Sequence, residues 1–462
     1  MRNTASVWCL IVCTALLWGA WKISSSAENP TPPALQLWPF SRRAPAKSPN
    51  APAPQSGPAA RPSVSAAPDT RPTPPASASA TAAPVNLPPE PMPDIRVALL
   101  PKAQKSVNLE VSQSFTVREI GTEKILQRSE KIGNTIVSAT AQGLRIGKKD
   151  WPHSKLEIVP SQSPGVWIEG HQYRGTVRLY RLSGNQVFAV NVLPLEDYVA
   201  SVVDSEMPSA FPEQARQAQA VIARTYALYQ RAAVERGALA DLQASTKSQK
   251  YLGYQYRDGK KLLAGESEAS RKIAAATRGQ VCQFRGREFC TYYCAVCGGS
   301  TVRGTDFFAD AAPPLKSVPC EFCREARLYR WQAEISRTDF QQALAPWLKE
   351  KGQPHSVVKT VSLTRKTSGQ SGYPEFDLRD GRQTLRITGP ELRQYLGPLG
   401  LYSPRFSITD RGQTLEFHGQ GHGHGIGLCQ WGARGQALAG RSCQQILQHY
   451  YPGMTLAVHT WK

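Results

Sequence analysis

The chain has 462 residues and a formal net charge of +20, from 55 Lys and Arg against 35 Asp and Glu. A basic balance of this size calls for an anionic partner: nucleic acid, an anionic membrane or an acidic polymer such as cell wall. No nucleic-acid-binding motif is present, which argues against the first class.

Residues 1–27 read as an export signal. Arg2 is a short positive end, and 7–21 (VWCLIVCTALLWGAW) is an apolar run of signal-peptide length. A spanning helix needs ~20 residues, so a cleaved signal and a retained membrane anchor are both open. SSA at 25–27 offers small residues for cleavage, whereas Cys13 follows LIV and gives no lipoprotein signal. The expected location is therefore the cell envelope, with membrane contact through this segment. Residues 28–95 hold 19 of the 36 prolines, with Ala and Ser between them. Such a stretch buries too little apolar surface to offset its ordering entropy, and it reads as a disordered linker.

The remainder, 96–462, is long enough for a sizeable core. From 96 to 190, short alternating runs such as IRVALL, LEIVP and GTVRLYRL lie between Gly, Pro and polar turns and predict strands. The region 191–462 opens with a helical pattern at Leu195. Pro212-Glu213 is a second helix start, followed by Ala215, Ala218, Val221, Ile222, Thr225 and Leu228 at three- and four-residue spacing. Strands are expected again at 279–303, with a hairpin turn at Arg285-Gly286, then mixed segments, a Gly-rich loop, a helix and YYPGM. With no regular βαβ alternation, the fold class is α+β.

Cys294, Cys297, Cys320 and Cys323 form two C-x2-C knuckles separated by 22 residues. Four thiolates in this arrangement suit a structural Zn²⁺, although an oxidising compartment would also allow disulfides. Cys282 and Cys290 flank the hairpin turn and are a candidate pair, as are Cys429 and Cys443.

One acidic residue stands out. Glu206 follows Val202 and Val203 and precedes Met207-Pro208, so it sits at a kink among bulky apolar neighbours. A helix-end carboxylate is the ordinary explanation. However, the stretch LPLEDYVASVVDSEMPSAFPEQARQAQAVIARTYAL resembles the best-known block of the stage II sporulation protein D/amidase enhancer (SpoIID/LytB) family, with its Glu-Met-Pro and Ala-Arg-Thr-Tyr signatures. KSQKYLGYQ, TYYCAVCGGST and GHGHGIGLCQWGARGQALAG resemble three further blocks in the same order, over about 190–455.

The resemblance implies a lytic transglycosylase acting on peptidoglycan glycan strands, with Glu206 as catalytic residue. Burial would raise its pKa, against an opposing pull from the N-terminus of the following helix. It also implies substrate contacts from Arg224, Gln249, Tyr251, His424 and Gln430. Cys294 stands where the family commonly has His, which suits a closed structural zinc site. Two other functions remain open on the sequence: enhancement of a cell-wall amidase, and peptidoglycan binding without catalysis.

Overall fold

The computed structural model describes residues 93–365 and 372–460. The expected signal and nearly all of the expected linker lie outside the described residues. The first strand, Asp94–Ala98, begins just inside the region assigned to the linker, and its Ile95 is fully buried.

Two large sheets form the first half. One has seven strands, in the order Leu242–Gln243, Asp94–Ala98, Gln186–Pro194, Thr176–Leu182, Lys155–Pro160, Phe115–Glu119 and Ile125–Ser129. The other has eight and runs from Lys261–Ala264 through Gln255–Asp258 and Ser106–Val111 to Lys149–Trp151. Alternating burial along Ser106–Val111 shows the period of two that turns one face inward. Val107, Leu109 and Val137 from one sheet share a cluster with Leu156, Ile158 and Val177 from the other. Strands 242–243, 255–258 and 261–264 come from beyond residue 190, so the β-rich part and the helical part share both sheets.

Helix α1, Leu195–Glu206, follows the strand Gln186–Pro194 without a break. It ends where it does because Met207 precedes Pro208: the pyrrolidine ring disfavours helical backbone at the preceding residue, and Met207 is extended. Helix α2, Glu213–Ala233, starts after Pro212 and buries Ala215, Ala218, Val221, Ile222, Thr225 and Leu228, the stripe its periodicity predicts. Helix α3 is Glu268–Ala276. The hairpin of Gln280–Phe284 and Arg287–Glu288 turns at Arg285-Gly286, both with positive φ, as a tight two-residue turn requires.

The expected mixed segments resolve into a third core around Trp331, Phe340, Trp347, Phe376, Leu392 and Phe417. Two three-stranded sheets enclose it, together with α4 (Arg337–Glu350) and α5 (Gly389–Leu396). The chain then closes with α6 (Gln430–Leu438) and α7 (Cys443–Tyr450). The architecture is α+β, as expected.

Candidate active site and sulfur cluster

Glu206 is the last residue of α1 and is half-buried. Its Oε1 accepts a 2.7 Å hydrogen bond from the Lys250 backbone N–H and a 2.9 Å bond from the Tyr293 hydroxyl. The Gln430 side chain also hydrogen-bonds the carboxyl. These donors favour the charged form, yet burial outweighs them and holds the carboxyl above the usual range. A helix end of the opposite sense also acts on the carboxyl. Glu206 lies at the C-terminal end of α1, where unpaired carbonyls disfavour an anion.

Tyr293 is itself held from behind. The Tyr198 hydroxyl donates to Gln249 Oε1 at 3.1 Å, and Gln249 Nε2 reaches the Tyr293 hydroxyl at 3.5 Å. Burial pushes the Tyr293 phenol well above its ordinary range, so it stays protonated and donates to Glu206. The donors of this chain all point toward the carboxyl.

No second carboxylate joins the site among the described residues. Asp204 is ion-paired with Arg216, two residues back and ~200° around the helix. Glu196 and Asp197 are in the first turn of α1, ~13–15 Å away along its axis.

Tyr293 and Gln430 are brought together by one short strand pair. Tyr293–Cys294 runs parallel to Leu428–Cys429, with Tyr293 opposite Leu428 and Cys294 opposite Cys429. Gln430 then opens α6, with Cys429 as its N-cap. Gly427, at φ +71°, lets the loop reach this pairing: a side chain there would strike the Tyr292 carbonyl.

Cys429 carries a second task. Its sulfur, with those of Cys297, Cys320 and Cys323, forms a buried set in which all lie within 4.8 Å of one another. This corrects the set drawn from spacing, which had Cys294 as the fourth member. Cys294 lies at the edge of this set, with its side chain against the Cys429 sulfur, its cross-strand neighbour, which makes the fourth member. The Cys429 sulfur accepts the backbone N–H groups of Cys297 and Gly432, each at 3.3 Å. A Cβ at Gly432 would lie 2.5 Å from the Cys320 sulfur, so the helix can approach the cluster only with glycine there. The donor chemistry fits a tetrahedral ion: ~2.3 Å metal–sulfur bonds give sulfur–sulfur edges of about 3.8 Å, and Cys297 and Cys323 are 3.7 Å apart. All eight cysteines from 282 to 443 are free thiols, so the candidate pairs Cys282–Cys290 and Cys429–Cys443 do not form.

The other anticipated substrate contacts divide. Gln430 and Gln249 belong to the Glu206 site, the second only through Tyr293. Arg224 is turned into the core and is not among the hydrogen-bond partners of Glu206. It is fully buried and binds both Glu196 oxygens, at 2.8 and 2.6 Å, with the carbonyls of Gln280 and Ala274 taking further donors. Tyr251 is also in the core, with its hydroxyl on Asn191 at 2.7 Å and its ring against Tyr198 and Tyr173. His424 lines a neighbouring cavity with His422. Its Nδ1 accepts the Ile426 N–H at 3.1 Å, its ring also contacts the Tyr293 backbone, and burial pushes its pKa down to about 4. Sequence reasoning missed Tyr293, Lys250 and Cys429 as site residues. All three lay inside blocks already singled out, but only the fold shows which atoms face Glu206 and which sulfurs meet.

Comparison with known proteins places these features. Residues 183–284 match the stage II sporulation protein (SpoIID) family, and 320–427 match a domain of unknown function (DUF8618). An uncharacterised protein of Brachyspira hyodysenteriae is 30% identical over 302 residues, which is 65% of this chain and 77% of the relative. Stage II sporulation protein D of Bacillus subtilis is 29% identical over 293 residues, covering 61% and 79%. The amidase enhancer of B. subtilis is 25% identical over 397 residues, 76% of this chain and 52% of that protein. The chain belongs to the SpoIID/LytB family.

Proposed function

We propose that this protein is an exported lytic transglycosylase that remodels peptidoglycan, cleaving MurNAc–GlcNAc glycosidic bonds to leave 1,6-anhydro-MurNAc ends. The observation that carries this reading is the solitary Glu206 carboxyl, raised above its ordinary range, with no second carboxylate joining it among the described residues. A hydrolase of the usual kind works with two carboxyl groups about 5–10 Å apart. A single group suffices if the nucleophile belongs to the substrate. Protonated Glu206 gives its proton to the glycosidic oxygen as the C–O bond breaks. The resulting carboxylate then takes the proton of the muramic acid 6-hydroxyl, whose oxygen closes on C1. Tyr293 and Lys250 both engage Oε1, so in this reading Oε2 is the oxygen that exchanges the proton. The basic charge suits the anionic polymer.

In this reading Cys297, Cys320, Cys323 and Cys429 hold one structural Zn²⁺. Four protein ligands leave no open position, so the ion acts as a brace that fixes Cys429 and, through it, Gln430 and the strand pair carrying Tyr293. The N-terminal segment would deliver the domain to the envelope and hold it near the membrane. Digestion of purified peptidoglycan with mass analysis of the products tests the reaction: anhydro ends are expected, and reducing ends would overturn it. The likeness to an amidase enhancer favours a second reading, stimulation of a cell-wall amidase. That would be supported if wild-type and Glu206→Gln proteins were equally inactive on glycan but equally stimulated an amidase.

A further inference from the structure

A cavity of about 420 Å³ is lined among others by Phe307, Arg393, Tyr402, His422 and His424. Arg393 is on α5, within the region matched only to a domain of unknown function. Its Nε donates to the Tyr402 carbonyl at 3.1 Å. Among the described residues no carboxylate lies within ion-pair reach of its guanidinium, and the groups that most affect its charge are Tyr373 and Cys294. Both histidines lining the cavity are held in the neutral direction by burial, so among the described residues that line it Arg393 is the one cation. Arg393 is half-buried, so its guanidinium faces the cavity with part of its hydration removed and no anion in its place. The remaining N–H donors form a planar fork, whose natural partner is a carboxylate bound through both oxygens. Phe307 and Tyr402 add aromatic faces of the kind that pack against sugar rings.

The cavity is also close to the chemistry. His424 contacts the backbone of Tyr293, whose hydroxyl is on Glu206. Arg224, a substrate contact only on the strength of the resemblance, is already ion-paired with Glu196.

We propose that this cavity is a subsite of the glycan cleft in which Arg393 binds a carboxylate of the strand. The inference rests on the chain acting on peptidoglycan. Two carboxylates share the required chemistry: the lactyl group of a peptide-free muramic acid, and those of a stem peptide. N-acetylmuramic acid, muramyl dipeptide and N-acetylglucosamine, titrated into the full chain by calorimetry or NMR, separate them. Arg393→Gln should weaken binding of the recognised carboxylate ligand by at least ~10-fold, as expected for a charged hydrogen-bonding partner, and leave N-acetylglucosamine unaffected. Preferential loss for N-acetylmuramic acid assigns the lactyl group, and preferential loss for muramyl dipeptide assigns the peptide. Arg393→Lys keeps the charge without the fork and should be intermediate; it decides the matter if the Gln variant does not fold. Wild-type affinity of a folded variant for both carboxylate ligands overturns the proposal. Binding needs no turnover, so the two readings fail separately. Arg393-dependent binding without glycan cleavage sinks the transglycosylase, whereas cleavage with Arg393-independent binding sinks only the subsite.

Discussion

Tyr293 and Glu206 are 87 positions apart in the chain and 2.9 Å apart in space, with the phenol as donor to the carboxyl. Because this bond stabilises the anion, removing it should raise the Glu206 pKa further. Tyr293→Phe is therefore expected to move the alkaline limb of the pH–activity profile upward. A profile in its wild-type position would show that the phenol does not influence the reacting proton.

Glu206→Gln keeps the shape of the side chain but cannot donate or take up the proton. Turnover should fall by ~10² to 10⁴ or more, since one group serves both half-steps. Stability should move the other way. The folded-state pKa of Glu206 lies above its unfolded value, so the native state binds the proton more tightly. The carboxyl therefore costs stability above the folded pKa and costs nothing below the ordinary glutamate range of about 4.3. The Gln variant should melt higher than wild type at neutral pH, with the gain disappearing as the pH falls through that window. Equal melting temperatures at pH 7 would contradict a desolvated carboxyl.

Cys429→Ser and Cys294→Ser distinguish the two four-cysteine sets. Protein purified without chelator should contain about one zinc per chain, retained in Cys294→Ser and lost in Cys429→Ser, with a marked fall in melting temperature only in the second. The opposite pattern would restore the set read from spacing.

Arg224→Met tests whether that arginine supports the fold. It leaves the Glu196 carboxylate, only 12% exposed, without its cation. A loss of about 3–5 kcal/mol is expected, measured by denaturant unfolding. Normal stability with impaired glycan binding would instead place Arg224 at the substrate.

What the sequence revealed follows the range of the interactions involved. The buried stripe from Ala215 to Leu228 was legible because helical periodicity is a local property, and Met207-Pro208 located the end of α1 for the same reason. Glu206 was legible as an anomaly, a carboxyl at a kink among apolar neighbours. Arg224 was misjudged because its sequence setting does not reveal that Glu196 waits one helix away. The same limit applies to Cys429: C-x2-C spacing reports neighbours along the chain, whereas the fourth sulfur comes from a strand paired across more than 130 residues. The core around Trp331 and Phe417 was least legible: Thr414–Gln420 does alternate, but its pairing partners Arg330–Ser336 and Phe406–Asp410 lie on either side of α4 and α5, an order the sequence does not announce.

The short pairing of Tyr293–Cys294 with Leu428–Cys429 also sets a schedule. A ribosome completes α1 more than 200 residues before it reaches Cys429, which at 5–20 residues per second is a delay of roughly 10 to 45 s. Throughout that interval Glu206 lacks Tyr293, Gln430 or both. A nascent or prematurely ended chain thus carries the reactive carboxyl without the surroundings that tune it. If the proposed activity holds, lytic capacity is withheld until Cys429 and Gln430 have been made, a form of latency that requires neither a removable pro-segment nor an inhibitor.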